Sequence, residues 1–167
     1  KAQADSKPIC EKLAKRGYAV ASINYRVGIF PFNRTGATKA VLRAVQDMKA
    51  AVRFFWKDAA TANTYRIDTN FIFVGGSSAG AFMGLHYAYL NKIYELNGIL
   101  DSLTVTGLGG IEGNSGNPGY PTRVKGAINL CGALGKKDWL EAGNVPVVSM
   151  HGTNDQTVPY GSATIYE

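Results

Sequence analysis

The sequence predicts an α/β fold, three layers deep (helix, sheet, helix) around a mainly parallel sheet. Three observations predict it. Short β-branched runs alternate with segments of helical period. The run FIFV at 71–74 is wholly apolar, as a strand buried on both sides of a parallel sheet requires. Two strand ends carry polar, glycine-containing bends, at 75–80 and 151–155, where α/β sheets gather their chemistry. No repeat or domain boundary interrupts the pattern, so residues 1–167 read as one domain.

Residues 6–16 read as a helix, with Pro8 in the first turn, Ile9, Leu13 and Ala14 as its apolar stripe, and Gly17 as its stop. Tyr18 to Asn24 (YAVASIN) reads as a strand. Gly28, Pro31 and Gly36 mark 26–36 as a loop. A long helix follows from about Thr38 to Ala60, because Val41, Val45, Met48, Val52 and Phe55 recur at three- and four-residue steps. Asp68 begins a turn before the FIFV strand. After the glycine-rich turn at 75–80 another helix runs to about Asn91. Residues 92–123 look irregular, above all GLGGIEGNSGNPGYP at 107–121, which reads as a surface excursion rather than a lip over a substrate cleft. Val124–Cys131 is the next strand, a short helix passes through Trp139, and Val147–His151 is a further strand.

Composition excludes several classes. Hydrophobic residues make up 46% and charged residues 18%, which is globular rather than disordered. No apolar run approaches the ~20 residues of a membrane helix, so no stable membrane insertion is expected. The chain opens at Lys1 without a basic-then-apolar leader, an absence given no weight because the chain does not start with methionine. Net charge is +6, but the basic residues are scattered: Lys12, Lys15 and Arg16, then Arg43, Lys49 and Arg53, then Lys136 and Lys137. That reads as a solvated basic surface, and no nucleic-acid partner is expected. Cys10 and Cys131 lack metal-ligand spacing and read as two buried free thiols, with no metal or organic cofactor implied.

The chemistry-bearing motif is Gly76-Ser77-Ser78-Ala79-Gly80, which matches G-x-S-x-G between an apolar strand and an apolar helix. The chain must reverse tightly there, and small flanking residues let strand and helix approach. Ser78 is then the nucleophile, held in a strained backbone conformation, and the N–H of Ala79 can face a developing oxyanion. Centring on Ser77 would place Gly75 and Ala79 in the flanking positions, a weaker match. The second motif is His151-Gly152-Thr153-Asn154-Asp155 after the strand VPVVSM. A carboxylate beyond a strand downstream of the elbow is where a triad acid belongs, and Asp155 lies 77 residues (155 − 78) after Ser78. The plainer reading is an aspartate serving only its own turn.

These pieces resemble the carboxylesterase and lipase group of the α/β-hydrolase superfamily, with bacterial secreted-type esterases as close kin and prolyl-oligopeptidase-type hydrolases more distant. The matching segments are AKRGYAVASINYRVG, AVQDMKAAVRFFWKDA, IDTNFIFVGGSSAG and VPVVSMHGTNDQTVPY, which span nearly the whole chain. The resemblance implies a serine ester hydrolase with Ser78 as nucleophile, Asp155 as triad acid, Ala79 as an oxyanion donor and Gly76 and Gly80 shaping the turn. It implies that Arg26 and Asp47 meet in a framework ion pair, and it suggests a secreted or periplasmic address. Peptidase, sugar-ester (acetyl-xylan or feruloyl) esterase and non-catalytic binding relatives share the same motifs.

Two family features are missing: a histidine after Asp155 and an HGG-type oxyanion segment before the first strand. His86, eight residues along the helix, would lie about 12 Å beyond Ser78 at 1.5 Å per residue. His151 reads as a structural hydrogen-bonder of its turn. The 167 residues alone are therefore expected to be a fragment nearly inactive on simple esters. Tyr25, Phe30, Phe32 and Tyr120 could line an ester pocket, but read first as packing.

Overall fold

The computed structural model describes residues 2–164, with side chains described from Ser6 onward. Helix α1 (Ala2–Ala14) and α2 (Arg34–Ala60) lead into β1 (Phe73–Ser77), α3 (Ala79–Tyr89), the short α4 (Ser102–Gly107), β2 (Gly126–Leu130) and β3 (Val147–Met150). The three strands form one parallel sheet in the order β1-β2-β3. This is the α/β class with a parallel sheet that the sequence predicts. In register, Ser77, Leu130 and Met150 form the row at the carboxyl edge.

Alternation along each strand decides what each face does. Gly76 faces α3, and Val74 shares its side, as do the paired Ala127 and Asn129 of β2; all but Gly76 are buried. The opposite parity carries Phe73, Val148 and Met150, which remain exposed. Helix α3 lies on β1 and β2, α2 packs on α3, and α1 approaches β1. Wedged in this way, α3 buries every residue from Met83 to Tyr89, which is why its sequence is apolar on all sides. The apolar stripe read on α2 faces this core: Val45, Met48 and Val52 are buried, and Val41 and Phe55 half-buried.

Several boundaries differ from the sequence reading, four of them for clear local reasons, and the segment 92–123 read as irregular contains α4. Helix α1 starts at Ala2 rather than residue 6, so Pro8 sits inside it, while Gly17 ends it at φ +90° as expected. Residues 18–24 take no regular secondary structure and join no ladder; among them only Ile23 packs against the core. Helix α2 starts at Arg34, because the Asn33 side chain accepts the N–H of Gly36 and caps it. Gly36 is helical, and a Cβ there would lie 1.8 Å from the Pro31 carbonyl oxygen. Strand β1 begins two residues late, since Asp68 caps a 3-10 turn at Thr69–Phe71 that takes Phe71 out of the sheet. Gly75 and Gly76 accordingly belong to the strand and not to the bend after it.

Irregular segments are tied down by polar side chains of α2. Arg26 meets Asp47 through Nη2 at 2.9 Å and through Nε, and its backbone N–H donates to the same carboxylate. That is the framework pair the resemblance implies. Lys49 and Arg53, read from the sequence as solvated, are instead buried. Arg53 donates to the carbonyls of Glu112, Ser115 and Gly116, Gln46 to those of Leu108 and Gly110, and Lys49 pairs with Glu112. Positions 46, 49 and 53 share one helical stripe, so a single face grips the excursion. Its course continues to Lys57, which donates to Asn117. Nearby, Trp56 donates to the carbonyl of Arg123, just before β2 begins. The excursion leads into the start of β2, with Ile111 buried in the core and Leu108 packed against it.

Arg53→Met tests this clamp. It leaves three carbonyls without their charged donor, and should lower stability by about 3 kcal/mol. Amide exchange should accelerate at residues 112–117 before it does in α3.

Candidate active site

The site is built on the bend between β1 and α3. Ser78 sits at φ 51°, ψ −119°, a left-handed backbone conformation that a side-chain-bearing residue adopts only under constraint. Three bonds hold it. Its N–H donates to the Leu130 carbonyl at 2.9 Å, and its own carbonyl accepts from Ala81 and Phe82. The hydroxyl makes no capping bond to α3, and the residue is exposed at the sheet's carboxyl edge. Ala79 is the first residue of α3, where the N–H has no acceptor within the helix. The bend thus presents a hydroxyl and a free-facing amide next to each other, beside the positive end of the helix dipole.

The two flanking glycines are not equivalent. A Cβ on Gly76 would lie 2.9 Å from the backbone carbons of Gly80, whereas a Cβ on Gly80 would meet nothing within 4 Å. The close approach is one-sided. Ser77, the alternative centre, is within the strand, and its hydroxyl lies 3.7 Å from the Cys131 sulfur.

The second strand end carries Asp155, whose N–H donates to the Gly152 carbonyl. Its Oδ1 accepts the N–H groups of Thr157 and Val158, both at 2.9 Å. Oδ2 faces Nε2 of His151 at 3.5 Å. The amide of Val158, then that of Thr157, hold the carboxyl below the usual carboxylate range, with His151 adding to them against partial burial. Asp155 thus serves its turn through Oδ1 and faces His151 through Oδ2. Among the described residues no hydrogen bond joins it to Ser78. Ser78 follows β1 and Asp155 lies in the loop after β3, both beyond the carboxyl ends of their strands with β2 between them.

Neither histidine reaches the serine. His86 is buried in α3, its Nδ1 2.8 Å from the Phe82 carbonyl and its ring edge-on to Trp139. Burial pushes it down to about 4, so it is neutral at pH 7. His151 Nε2 lies 2.8 Å from the Val158 carbonyl oxygen, the structural role read from its sequence context. Both cysteines are free but only half-buried, not buried as expected. Phe30 and Phe32 are exposed, and Tyr25 packs partly against the core. Two surface hollows, one along Asn97–Ser102 and one between Asn70 and Arg123, lie away from the bend.

Sequence reasoning missed Asn129. It is buried in β2, where Oδ1 accepts the Gly132 N–H and Nδ2 donates to the Ser149 hydroxyl. An asparagine inside an otherwise apolar strand was the available signal. Among the described residues no cluster of three metal-ligating side chains is present, and no helix is long and apolar enough to cross a membrane.

A parallel sheet with a strained serine between a strand end and a helix start is the layout of an α/β-hydrolase-like domain. The family comparison agrees. The BD-FAE family model matches residues 1–108, and the chain belongs to this α/β-hydrolase-related esterase family. The match takes in Ser78 and stops short of Asp155. No curated protein and no solved structure matches the chain.

Two outcomes follow from this geometry. Gly80→Ala should fold and gain about 0.5–1 kcal/mol from helix propensity, while Gly76→Ala should melt markedly lower; thermal denaturation of the pair checks this. His86 contributes stability above its unfolded value near 6.5, and that contribution is lost as pH falls toward about 4, because only the unfolded chain binds the proton in that window. Urea midpoints should therefore drop between pH 6.5 and 4.5 in the wild type and stay flatter in His86→Phe.

Proposed function

We propose that the protein is a serine ester hydrolase acting through an acyl-enzyme on Ser78, within one domain. The observation that carries the reading is the backbone of Ser78, at φ 51° with its side chain exposed at the strand-to-helix bend. Such strain persists only where surrounding structure enforces it, and it lifts the hydroxyl clear of the sheet. Membership of an esterase family supports the same chemistry.

In this reading the Ser78 oxygen attacks the ester carbonyl carbon. Its proton passes to an imidazole, and the carbonyl electrons become an oxyanion that the Ala79 N–H stabilises. Collapse expels the alcohol, which takes the proton from the imidazole, and water then hydrolyses the acyl-serine. Asp155 orients the imidazole through Oδ2 and stabilises its positive charge, Oδ1 being occupied by the two turn amides. The placement of both residues beyond the carboxyl ends of parallel strands supports a shared site. The engagement of His86 and His151 elsewhere supports a base outside the described residues.

A fluorophosphonate probe should label the full-length protein at Ser78, and Ser78→Ala should abolish both labelling and turnover of p-nitrophenyl acetate. Asp155→Asn should lower kcat about 10³- to 10⁴-fold. Labelling at another residue, or full activity in Ser78→Ala, would refute the assignment. Acetate release from acetylated xylan and cleavage of prolyl peptides then sort sugar-ester and peptidase activity from simple ester hydrolysis.

A further inference from the structure

We infer that Asn129 is a positioning residue that fixes Ser78 relative to Asp155 through the end of the central strand. The inference rests on the serine-hydrolase reading and adds to it a residue that touches no substrate. Asn129 lies in the row Gly76–Asn129–Ser149, one step below the carboxyl-edge row Ser77–Leu130–Met150. Directly above it two backbone bonds cross the sheet: Ser78 N–H to the Leu130 carbonyl, and Cys131 N–H to the Met150 carbonyl, both 2.9 Å. The elbow is thereby hung on β2, and β2 on the strand that leads into the His151–Asp155 loop.

What fixes the end of β2 is the asparagine. Cys131 has φ +52°, a conformation that costs a non-glycine residue about 1–3 kcal/mol and needs enforcement. Asn129 Oδ1 accepts the Gly132 N–H at 2.9 Å immediately beyond it, and Nδ2 donates to the Ser149 hydroxyl at 2.7 Å. The donor at Gly132 settles which end of the amide is oxygen. Gly132 in turn lies against the first turn of α3, where a Cβ on it would come 2.5 Å from that of Ala81. Asn129 therefore ties three things together: the turn after β2, the first turn of the helix that bears Ser78, and β3. An apolar side chain of the same size would leave the Gly132 N–H without its acceptor and direct none of them.

The test uses the full-length protein, with kcat and KM for p-nitrophenyl acetate and the rate of fluorophosphonate labelling at Ser78. Asn129→Leu should lower kcat about 10²-fold with KM within about threefold, and slow labelling in parallel, because misplacement by an ångström costs on that order. Ser149→Ala, at an exposed hydroxyl, should fold normally and lower kcat several-fold. Added to Asn129→Leu it should cost nothing further, the signature of one shared interaction. A merely structural role would lower the melting temperature and leave kcat of the folded protein unchanged. The inference is overturned if folded Asn129→Leu keeps kcat within twofold of wild type. Should that variant not fold, Ser149→Ala decides by the same criterion. Turnover that survives in Ser78→Ala would sink the parent reading instead, and this inference with it.

Discussion

The structure depends on one close approach, the backbone of Gly80 against the α-carbon of Gly76. The chain leaves a strand and enters a helix within a single residue, Ser78, and that is possible only if the two elements nearly touch. A residue in the left-handed region costs about 1–3 kcal/mol. The surroundings offset it: the Leu130 carbonyl takes the Ser78 amide, and the eleven residues of α3 are wedged between sheet and α2. Relaxing the bend would mean withdrawing α3 from the core, a far larger loss than the strain it relieves.

Around that bend, much of the chain is irregular and is held by polar side chains rather than by ladders. Helix α2 supplies most of them. Asp47 secures the segment entering the 26–33 loop, while Gln46 and Arg53 secure the glycine-rich excursion by bonding its carbonyls and Lys49 by pairing with the Glu112 carboxylate. Backbone carbonyls in a loop pressed against a helix need donors, and a long cationic side chain provides several from one position. The energetic logic is asymmetric. Each intact bond contributes modestly, but a missing donor strands a buried oxygen.

How much of this was legible in the sequence follows from the range over which each feature is specified. The bend at Ser78 was legible because strand, small residues and helix are contiguous, and the apolar stripe of α2 because periodicity is local. The class of fold followed from the same alternation. Residues 18–24 misled because alternation reports a tendency to be extended, whereas a strand also needs a partner alongside. The start of α2 was hidden by Gly36, which reads as a loop residue but is required by the Pro31 carbonyl. Lys49 and Arg53 were taken for surface because cations usually are; their partners lie about sixty positions away, beyond any local pattern. Asn129 stood out only as a polar residue in an apolar strand; its bond to Ser149, 20 positions away, lay beyond local pattern. The places of Ser78 and Asp155 after strand ends were legible, but the strand order that sets β2 between them was not.

The inward-turned cations bear on how the protein would meet other molecules. Net charge is unaltered by where a side chain sits, but contact is not. Of the eighteen lysines and arginines, Lys49 and Arg53 have their heads sealed beneath residues 108–116, and Arg26 is spoken for by Asp47. A polyanion probing this surface would find fewer ammonium and guanidinium tips to grasp than a tally of residues promises. Its long-range pull toward the protein would exceed the grip it could achieve on arrival.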